Sequence, residues 1–413
     1  MKNSLYLAGF ALALSATAFA APNVANTTQK GSLLIFPDIR VDGDWNTLIR
    51  IANDANSDVS VKCYWMDGNK NRVDFQFPLT ANQPFWFEAR TGAGTLQVNR
   101  FPTGFANGFD NPFLVGPGVL GVTEDTDNNG AYQRGTLACW VVRYVAADVN
   151  GGGNDVDPCG CNPPPDPNQN DIGETQVKYN HLSGTATVFS PTFGSYEYNA
   201  YAFFVPSGAD LDPIANSTPG VLRLNGLQYD QCPEYLIGQF TPNGAPGAAG
   251  PIRVQAQRLA VTACQLDLRQ DWVLRLTKLK FDVWNEDEVR FTGAYDCADS
   301  WHETEFTDGL SVAPNTTTLT GIAGIDAAAQ NFQFSTLQTF SARYRVRGIA
   351  SDRCADPDTR IIPVGLLGVH SARLVGGLGD MIGTTLAGAG KTSDIIRWDP
   401  DLNGGLVPEG AIR

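Results

Sequence analysis

The segment Lys278 to Tyr295, KLKFDVWNEDEVRFTGAY, decides the fold class of this chain of 413 residues. Apolar and polar residues alternate on both sides of a short polar turn, and a period of two predicts a strand, a turn and a second strand. A similar segment lies at Thr47 to Trp65, TLIRIANDANSDVSVKCYW, again with an Asn at the turn. We therefore expect the same β-hairpin twice, as part of a weak internal repeat.

The composition agrees with an all-β fold. The chain contains 43 Gly and 25 Pro, with 10% aromatic and 17% charged residues, which is typical of many short strands joined by turns. The chain is longer than most domains that fold around a single hydrophobic core. The sequence therefore predicts two antiparallel β-sandwich domains related by the internal repeat.

Domain boundaries are predicted from the turn-rich stretches. The first β-sandwich is expected over residues 31–206, a linker over 207–220 and the second β-sandwich over 221–413. Within the first domain, residues 148–173 are rich in Asn, Asp, Gly and Pro. This composition predicts an exposed insertion with little regular structure.

The N-terminus predicts export. Residues 1–20 have the features of a signal peptide: Lys2, an apolar run from Leu5 to Leu14, and the small-x-small site Ala18-Phe19-Ala20. A polar tail over residues 21–30 follows. The apolar run is too short for a transmembrane helix, so we expect an exported protein without a membrane span, in the periplasm, outside the cell or at its surface.

The charge balance restricts the partners. The chain has 43 Asp and Glu against 29 Lys and Arg, a net charge of -14. Nucleic acids and anionic membranes are bound by basic surfaces, so neither is an expected partner.

All eight cysteines lie after the predicted signal peptide. In an exported chain an even number of cysteines favours disulfides over metal ligation, although the sequence leaves their connectivity open. The cysteines are Cys63, Cys139, Cys159, Cys161, Cys232, Cys264, Cys297 and Cys354.

Two Asp- and Asn-rich segments have half of a calcium-loop pattern, with oxygen ligands at alternate positions and a Gly for the sharp turn. In the first, Thr136 stands where the bidentate Glu is expected. Because Asp, Asn and Gly also favour ordinary turns, the alternatives are structural calcium and plain turns. The candidate calcium ligands are Asp125, Asp127, Asn129, Asp399, Asp401 and Asn403.

A predicted strand carries Trp301, Glu303 and Glu305 on one face. An aromatic side chain beside carboxylates suggests half of a glycan-binding site, but glycoside hydrolysis needs two carboxylates at a set separation. The alternative is a solvated strand face beside a core Trp. The segment begins like a zinc-binding H-E-x-x-H helix, but Phe306 replaces the second His.

Another predicted strand carries Arg343, Arg345 and Arg347 on one face, with the intervening apolar residues pointing inward. Such a basic row could bind an acidic glycan or the acidic face of a neighbouring copy. The alternative is the solvent-exposed face of the strand.

The chain resembles a family of exported bacterial two-domain β-rich proteins that has no established activity, and the resemblance implies no catalytic residue. It is carried by blocks that span nearly the whole mature chain: GSLLIFPDI, TLIRIAN, VKCYW, LTANQPFWF, YNHLSGTATVF, YEYNAYAF, YDQCPEYL and KFDVWNEDEVRFTGAYDC.

The predicted function is a secreted, non-catalytic structural or adhesive protein that binds a cell surface, a matrix or copies of itself. One route to self-assembly is addition of the polar tail and Gly31 to Phe36 to the sheet edge of another subunit. The alternatives are an extracellular glycan-binding or carbohydrate-active protein, and a calcium-stabilised extracellular module.

Overall fold

The computed structural model describes residues 24–68, 72–90, 94, 134–142, 175–218, 221–240, 252–264, 276–305, 342–351, 362–376 and 391–393. These residues form an all-β structure in which every named strand pairs antiparallel with its neighbours. The predicted all-β, antiparallel class is confirmed. Within these ranges no helix has the length and apolar character needed to cross a membrane.

The strands are β1 (Leu33–Arg40), β2 (Asn46–Asn53), β3 (Val59–Met66), β4 (Arg72–Leu79), β5 (Pro84–Glu88), β6 (Arg134–Val142), β7 (Leu182–Ser190), β8 (Gly194–Asn199), β9 (Tyr201–Phe203), β10 (Tyr235–Phe240), β11 (Ile252–Ala263), β12 (Thr277–Trp284), β13 (Arg290–Ala298), β14 (Trp301–Glu305), β15 (Ala342–Ala350), β16 (Pro363–Val364), β17 (Leu366–Gly376) and β18 (Lys391–Ser393).

The strands form four sheets. Sheet I has the order β4-β3-β6-β1-β9, and sheet II has the order β5-β2-β7-β8. Sheet III has the order β10-β15-β12-β13, with β16 beside β15, and sheet IV has the order β14-β11-β17-β18. The first two sheets come from the N-terminal half of the chain and the last two from the C-terminal half.

Sheet I is covered on both faces. One face packs against sheet II in a core that includes Phe36, Ile49 and Val61. The other face packs against the loop that precedes β10 and against Leu367 of sheet IV. Burial on both faces explains why β1 and β3 have no exposed position and why β1 begins with a run of apolar residues.

Sheets III and IV share a separate core. Leu259 and Val261 of β11 meet Phe281 of β12 and Tyr344 of β15. The two halves of the chain therefore each build a pair of facing sheets, and sheet I also contacts sheet IV.

The hairpin predicted at Lys278 to Tyr295 is confirmed, because β12 pairs with β13. Asn285 begins the turn: its side-chain oxygen accepts hydrogen bonds from the backbone nitrogens of Asp287, at 3.0 Å, and Val289, at 2.8 Å. A polar residue that bonds the backbone two residues ahead is a common turn former.

The hairpin predicted at Thr47 to Trp65 is wrong. Strand β2 pairs with β5 and β7 in sheet II, whereas β3 pairs with β4 and β6 in sheet I. The chain crosses between the facing sheets instead of reversing within one, so Ile49 and Val61 meet across the core. Strand pairing therefore gives no support to the repeat inferred from this segment.

The segment Gly31 to Phe36 is not a free edge. Strand β1 lies between β6 and β9 and is hydrogen-bonded to both. Gly31 lies so close to β9 that a Cβ atom would sit 2.5 Å from the carbonyl oxygen of Phe203. Removing this segment would remove an inner strand of sheet I, so a truncation would test folding rather than assembly.

The prediction that the cysteines form disulfides is confirmed for two pairs, whose connectivity the sequence left open. Cys63 and Cys139 lie opposite each other on β3 and β6, with their Cα atoms 4.1 Å apart. Cys232, in the loop before β10, is bonded to Cys264 after β11, with 6.5 Å between the Cα atoms. Both bonds are compatible with an oxidising environment.

Candidate functional site

Trp301 and Glu303 lie on one face of β14, but that face is covered by sheet I. The Trp301 side chain is buried, and its indole nitrogen donates a hydrogen bond of 2.7 Å to the carbonyl oxygen of Pro37. The Glu303 side chain is only 7% exposed. Trp301 and Glu303 therefore do not form the open platform expected for glycan binding, because alternation identifies a shared face and does not show what covers it. The side chain of Glu305 is not among those that the structure describes.

Glu303 belongs to a group of buried charges between the two halves, which we call the joint cluster. Its two carboxylate oxygens bind Arg134 at 2.7 Å and Arg258 at 2.6 Å. Asp42 binds the same Arg134 at 2.7 Å. The joint cluster consists of Asp38, Arg40, Asp42, Arg134, Arg258 and Glu303.

Aromatic side chains enclose this cluster. The guanidinium of Arg40 lies 4.8 Å from the centre of the Trp45 ring. Arg258 lies 5.5 Å from the Tyr196 ring, and it also donates a hydrogen bond to the Tyr196 hydroxyl. Cation–π contacts strengthen when water is excluded, so the rings stabilise the buried guanidinium groups.

Asp38 is the most deeply buried carboxylate of the cluster. Its Oδ2 atom accepts a hydrogen bond of 2.5 Å from the Tyr196 hydroxyl and lies 3.3 Å from Arg258. Its Oδ1 atom is buried without a hydrogen-bond partner. Burial, with a further contribution from the negative charge of Glu303, raises the pKa of Asp38 to about 7.

The pKa of Asp42 is shifted in the opposite direction. Burial alone would raise its pKa, but hydrogen bonds from Arg40 and Arg134 outweigh burial and lower the pKa to about 2. Burial would lower the pKa of Arg40, but its hydrogen bond to Asp42 and the nearby charge of Glu303 raise it. Asp42 and Arg40 therefore both stay ionised at neutral pH.

A carboxyl group with a raised pKa beside a tyrosine can indicate acid–base chemistry. Asp38, however, has no exposed surface, and both oxygens of Glu303 are occupied by arginines. When ionised, three arginines face three carboxylates, so the charges cancel. We therefore interpret the joint cluster as a structural connection between the two halves.

The variant Asp38→Asn should change the pH dependence of stability. An acid whose pKa is raised in the folded state keeps its proton there after the unfolded chain has released it, so its contribution to stability is lost as pH rises from about 4 to about 7. A shift of this size corresponds to roughly 4 kcal/mol at full ionisation.

The measurement is the urea midpoint of wild type and Asp38→Asn between about pH 4 and about pH 8. We expect nearly equal midpoints at the acid end and a growing advantage for the variant toward the alkaline end. Both proteins contain His370, so the difference between them reports on Asp38. Burial lowers the pKa of His370 to about 4, and its effect on the pH dependence of stability has the opposite sign. A constant difference across the range would contradict the assignment.

The central residue of the predicted basic row, Arg345, is not exposed. Its side chain is 2% exposed and lies 2.5 Å from Asp282, which stands opposite it on β12. Asp282 also binds Arg290 at 2.8 Å. Arg343 and Arg347 lie on the same strand and are half-buried. Because Asp282 neutralises its central member, the row does not form an open basic face.

The candidate calcium ligands Asp125, Asp127, Asn129, Asp399, Asp401 and Asn403 lie outside the described residues. Within the part of the chain that is described, no group of three or more His, Cys, Asp or Glu side chains could hold a metal ion.

The outer face of sheet II carries a groove of about 510 Å³ that we did not predict. Trp86 of β5 is 47% exposed in it. Directly opposite Trp86 is Arg50 of β2, followed by Thr185 of β7 and Asn199 of β8. These four residues form one row across the sheet, which we call the face row.

The chain segment 27–30 forms one wall of the groove. It is held by Gln29, whose amide donates to the Ala202 carbonyl at 2.7 Å and to Asp230 at 2.8 Å. Asn199 donates a hydrogen bond of 3.1 Å to the Thr27 carbonyl. These hydrogen bonds fix the wall of the groove in place.

The sequence contained a signal for this groove in the triplet Phe85-Trp86-Phe87. Phe85 and Phe87 are buried in the core, so the residue between them must point away from it. An aromatic ring that projects from the outer face of a sheet is an informative exposed apolar group.

Neither a protein-family model nor the sequence of a curated protein matches this chain.

Proposed function

We propose that this protein is an exported, non-catalytic binding protein that attaches to a cell surface or matrix through the outer face of sheet II. The observation that carries the proposal is the face row, in which an exposed Trp86 continues into Arg50, Thr185 and Asn199 on a rigid sheet. Partly exposed aromatic and Arg side chains are the residue types that dominate binding energy at interfaces.

The remaining features support this role. Glu303 was a candidate for glycan binding from the sequence, but in the joint cluster it binds two arginines. The Cys63–Cys139 and Cys232–Cys264 disulfides suit an oxidising compartment, which agrees with the signal peptide predicted over residues 1–20. Together they favour a durable scaffold that presents one binding face.

The test is co-sedimentation of the oxidised mature protein with bacterial cell-envelope and extracellular-matrix fractions. We expect saturable retention by at least one fraction. The variant Thr185→Arg places a bulky side chain in the face row and should abolish that retention. The matched control is Leu227→Arg, since Leu227 is 75% exposed and does not line the groove.

Failure of every fraction to retain the wild-type protein would overturn the proposal. Equal retention of the two arginine variants would show that the outer face of sheet II is not the binding surface.

A further inference from the structure

We infer that the face row binds a neutral oligosaccharide, with the ring of Trp86 as the platform for one sugar. This inference rests on the proposed function and adds the chemical class of its ligand. Three features of the groove carry it: the dimensions of the row, its hydrogen-bonding groups and its charge.

The dimensions suit an extended chain of small rings. Neighbouring strands in a sheet lie about 4.8 Å apart, so the four strands that carry Trp86, Arg50, Thr185 and Asn199 place them along about 14 Å. Such a length accommodates a short oligosaccharide rather than a single small molecule. The groove volume of about 510 Å³ falls in the range of small-ligand sites.

The row offers the two kinds of contact that a sugar needs. One face of a pyranose ring is covered by C–H groups, and it stacks on a flat indole such as that of Trp86. The hydroxyl groups at the ring edge both donate and accept hydrogen bonds. Thr185 can do both, Arg50 donates, and the Asn199 side chain carries an acceptor as well as donors.

Two polar groups of the row, Arg50 and Asn199, are already held in place. Arg50 donates a hydrogen bond of 3.0 Å to the Thr187 hydroxyl and lies 3.2 Å from Glu197. The Thr187 hydroxyl in turn donates to Glu197 at 2.8 Å. A site whose side chains are ordered before binding loses less entropy when it is occupied.

The charge of the groove favours a neutral ligand over an acidic one. Arg50 is paired with Glu197, and Lys30 on the groove wall is paired with Asp54 at 2.7 Å. No excess of positive charge therefore results from these two pairs. The net charge of -14 on the whole chain would further repel a polyanion.

The direction of the row argues against an extended peptide. Peptides that bind by strand addition lie along a sheet edge and use main-chain hydrogen bonds. The face row runs across the strands, and β2 and β7 at its centre are hydrogen-bonded on both sides. Side chains rather than backbone are what this surface offers a ligand.

The experiment is isothermal titration of the full mature protein with hexasaccharides of glucose, mannose, xylose, galactose and N-acetylglucosamine, and with a galacturonate hexasaccharide as the acidic probe. We expect at least one neutral hexasaccharide to bind. Trp86→Ala should weaken that binding by about tenfold or more, and Trp86→Phe should retain part of it. Leu227→Ala, in the exposed loop, should leave it unchanged.

The outcomes separate this inference from the proposed function. If no neutral hexasaccharide binds, or if Trp86→Ala binds as wild type does, the inference is wrong. Preference for the galacturonate probe would also overturn it. If, in any of these cases, envelope or matrix fractions still retain the wild-type protein and Thr185→Arg abolishes the retention, the proposed function stands with a different ligand. Circular dichroism of each variant checks that it is folded.

Discussion

Replacing Glu303 with Ala should destabilise the protein by about 3–5 kcal/mol, the cost of removing one partner from a buried ion pair. The substitution leaves Arg258, which is 9% exposed, and Arg134 without the carboxylate that binds both of them. The urea midpoint and the melting temperature measure the effect.

The matched control is Glu197→Ala. Glu197 also binds an arginine, but its side chain is 56% exposed, and exposed ion pairs contribute about 0–1 kcal/mol. Glu303→Gln should fall between the two, because it loses the charge and keeps an amide that can accept a hydrogen bond. Equal effects of Glu303→Ala and Glu197→Ala would contradict the structural role given to the joint cluster.

Removing the Cys63–Cys139 disulfide should have an effect of similar size. The bond closes a loop of 76 residues, and the loss of chain entropy in the unfolded state predicts roughly 4 kcal/mol for a loop of this length. The double variant Cys63→Ala/Cys139→Ala avoids placing a hydroxyl in the core, where both cysteines are fully buried.

The comparison for this prediction is Cys232→Ala/Cys264→Ala. Its loop spans 32 residues, so the entropic model predicts a somewhat smaller loss. Thermal unfolding of the two double variants measures the difference. If Cys63→Ala/Cys139→Ala melted at the wild-type temperature, the bond would not contribute to the stability of sheet I.

The two segments that were predicted to be hairpins show what periodicity can predict. Both Lys278 to Tyr295 and Thr47 to Trp65 alternate between apolar and polar residues, and in both cases the alternation correctly identified two strands. Only the first is a hairpin. Alternation reports which side chains share a face of the strand, and it is the same whether the second strand lies beside the first or in the facing sheet.

Two of the candidate faces are closed for a related physical reason. The face shared by Trp301 and Glu303 follows from the pleat of β14, but its burial depends on sheet I, more than a hundred residues earlier in the chain. The position of Arg345 opposite Asp282 likewise depends on the register between β12 and β15. Contacts of this kind are not encoded in any local pattern.

Trp86 is the opposite case, since the local sequence was sufficient to place it on the outer face of its strand. What the local sequence lacked was the row of partners on β2, β7 and β8, which are brought together only by strand pairing. The proposed binding surface is therefore a property of sheet II as a whole.

The central claim is that the face row binds the ligand and that the joint cluster only stabilises the fold. The most direct test is oligosaccharide binding by Trp86→Ala and Glu303→Gln, measured side by side at a temperature at which both are folded. If the joint cluster is structural and the face row binds the ligand, Glu303→Gln will bind the neutral hexasaccharide as wild type does, and Trp86→Ala will lose about tenfold or more in affinity. Loss of binding in Glu303→Gln with wild-type affinity in Trp86→Ala would contradict it.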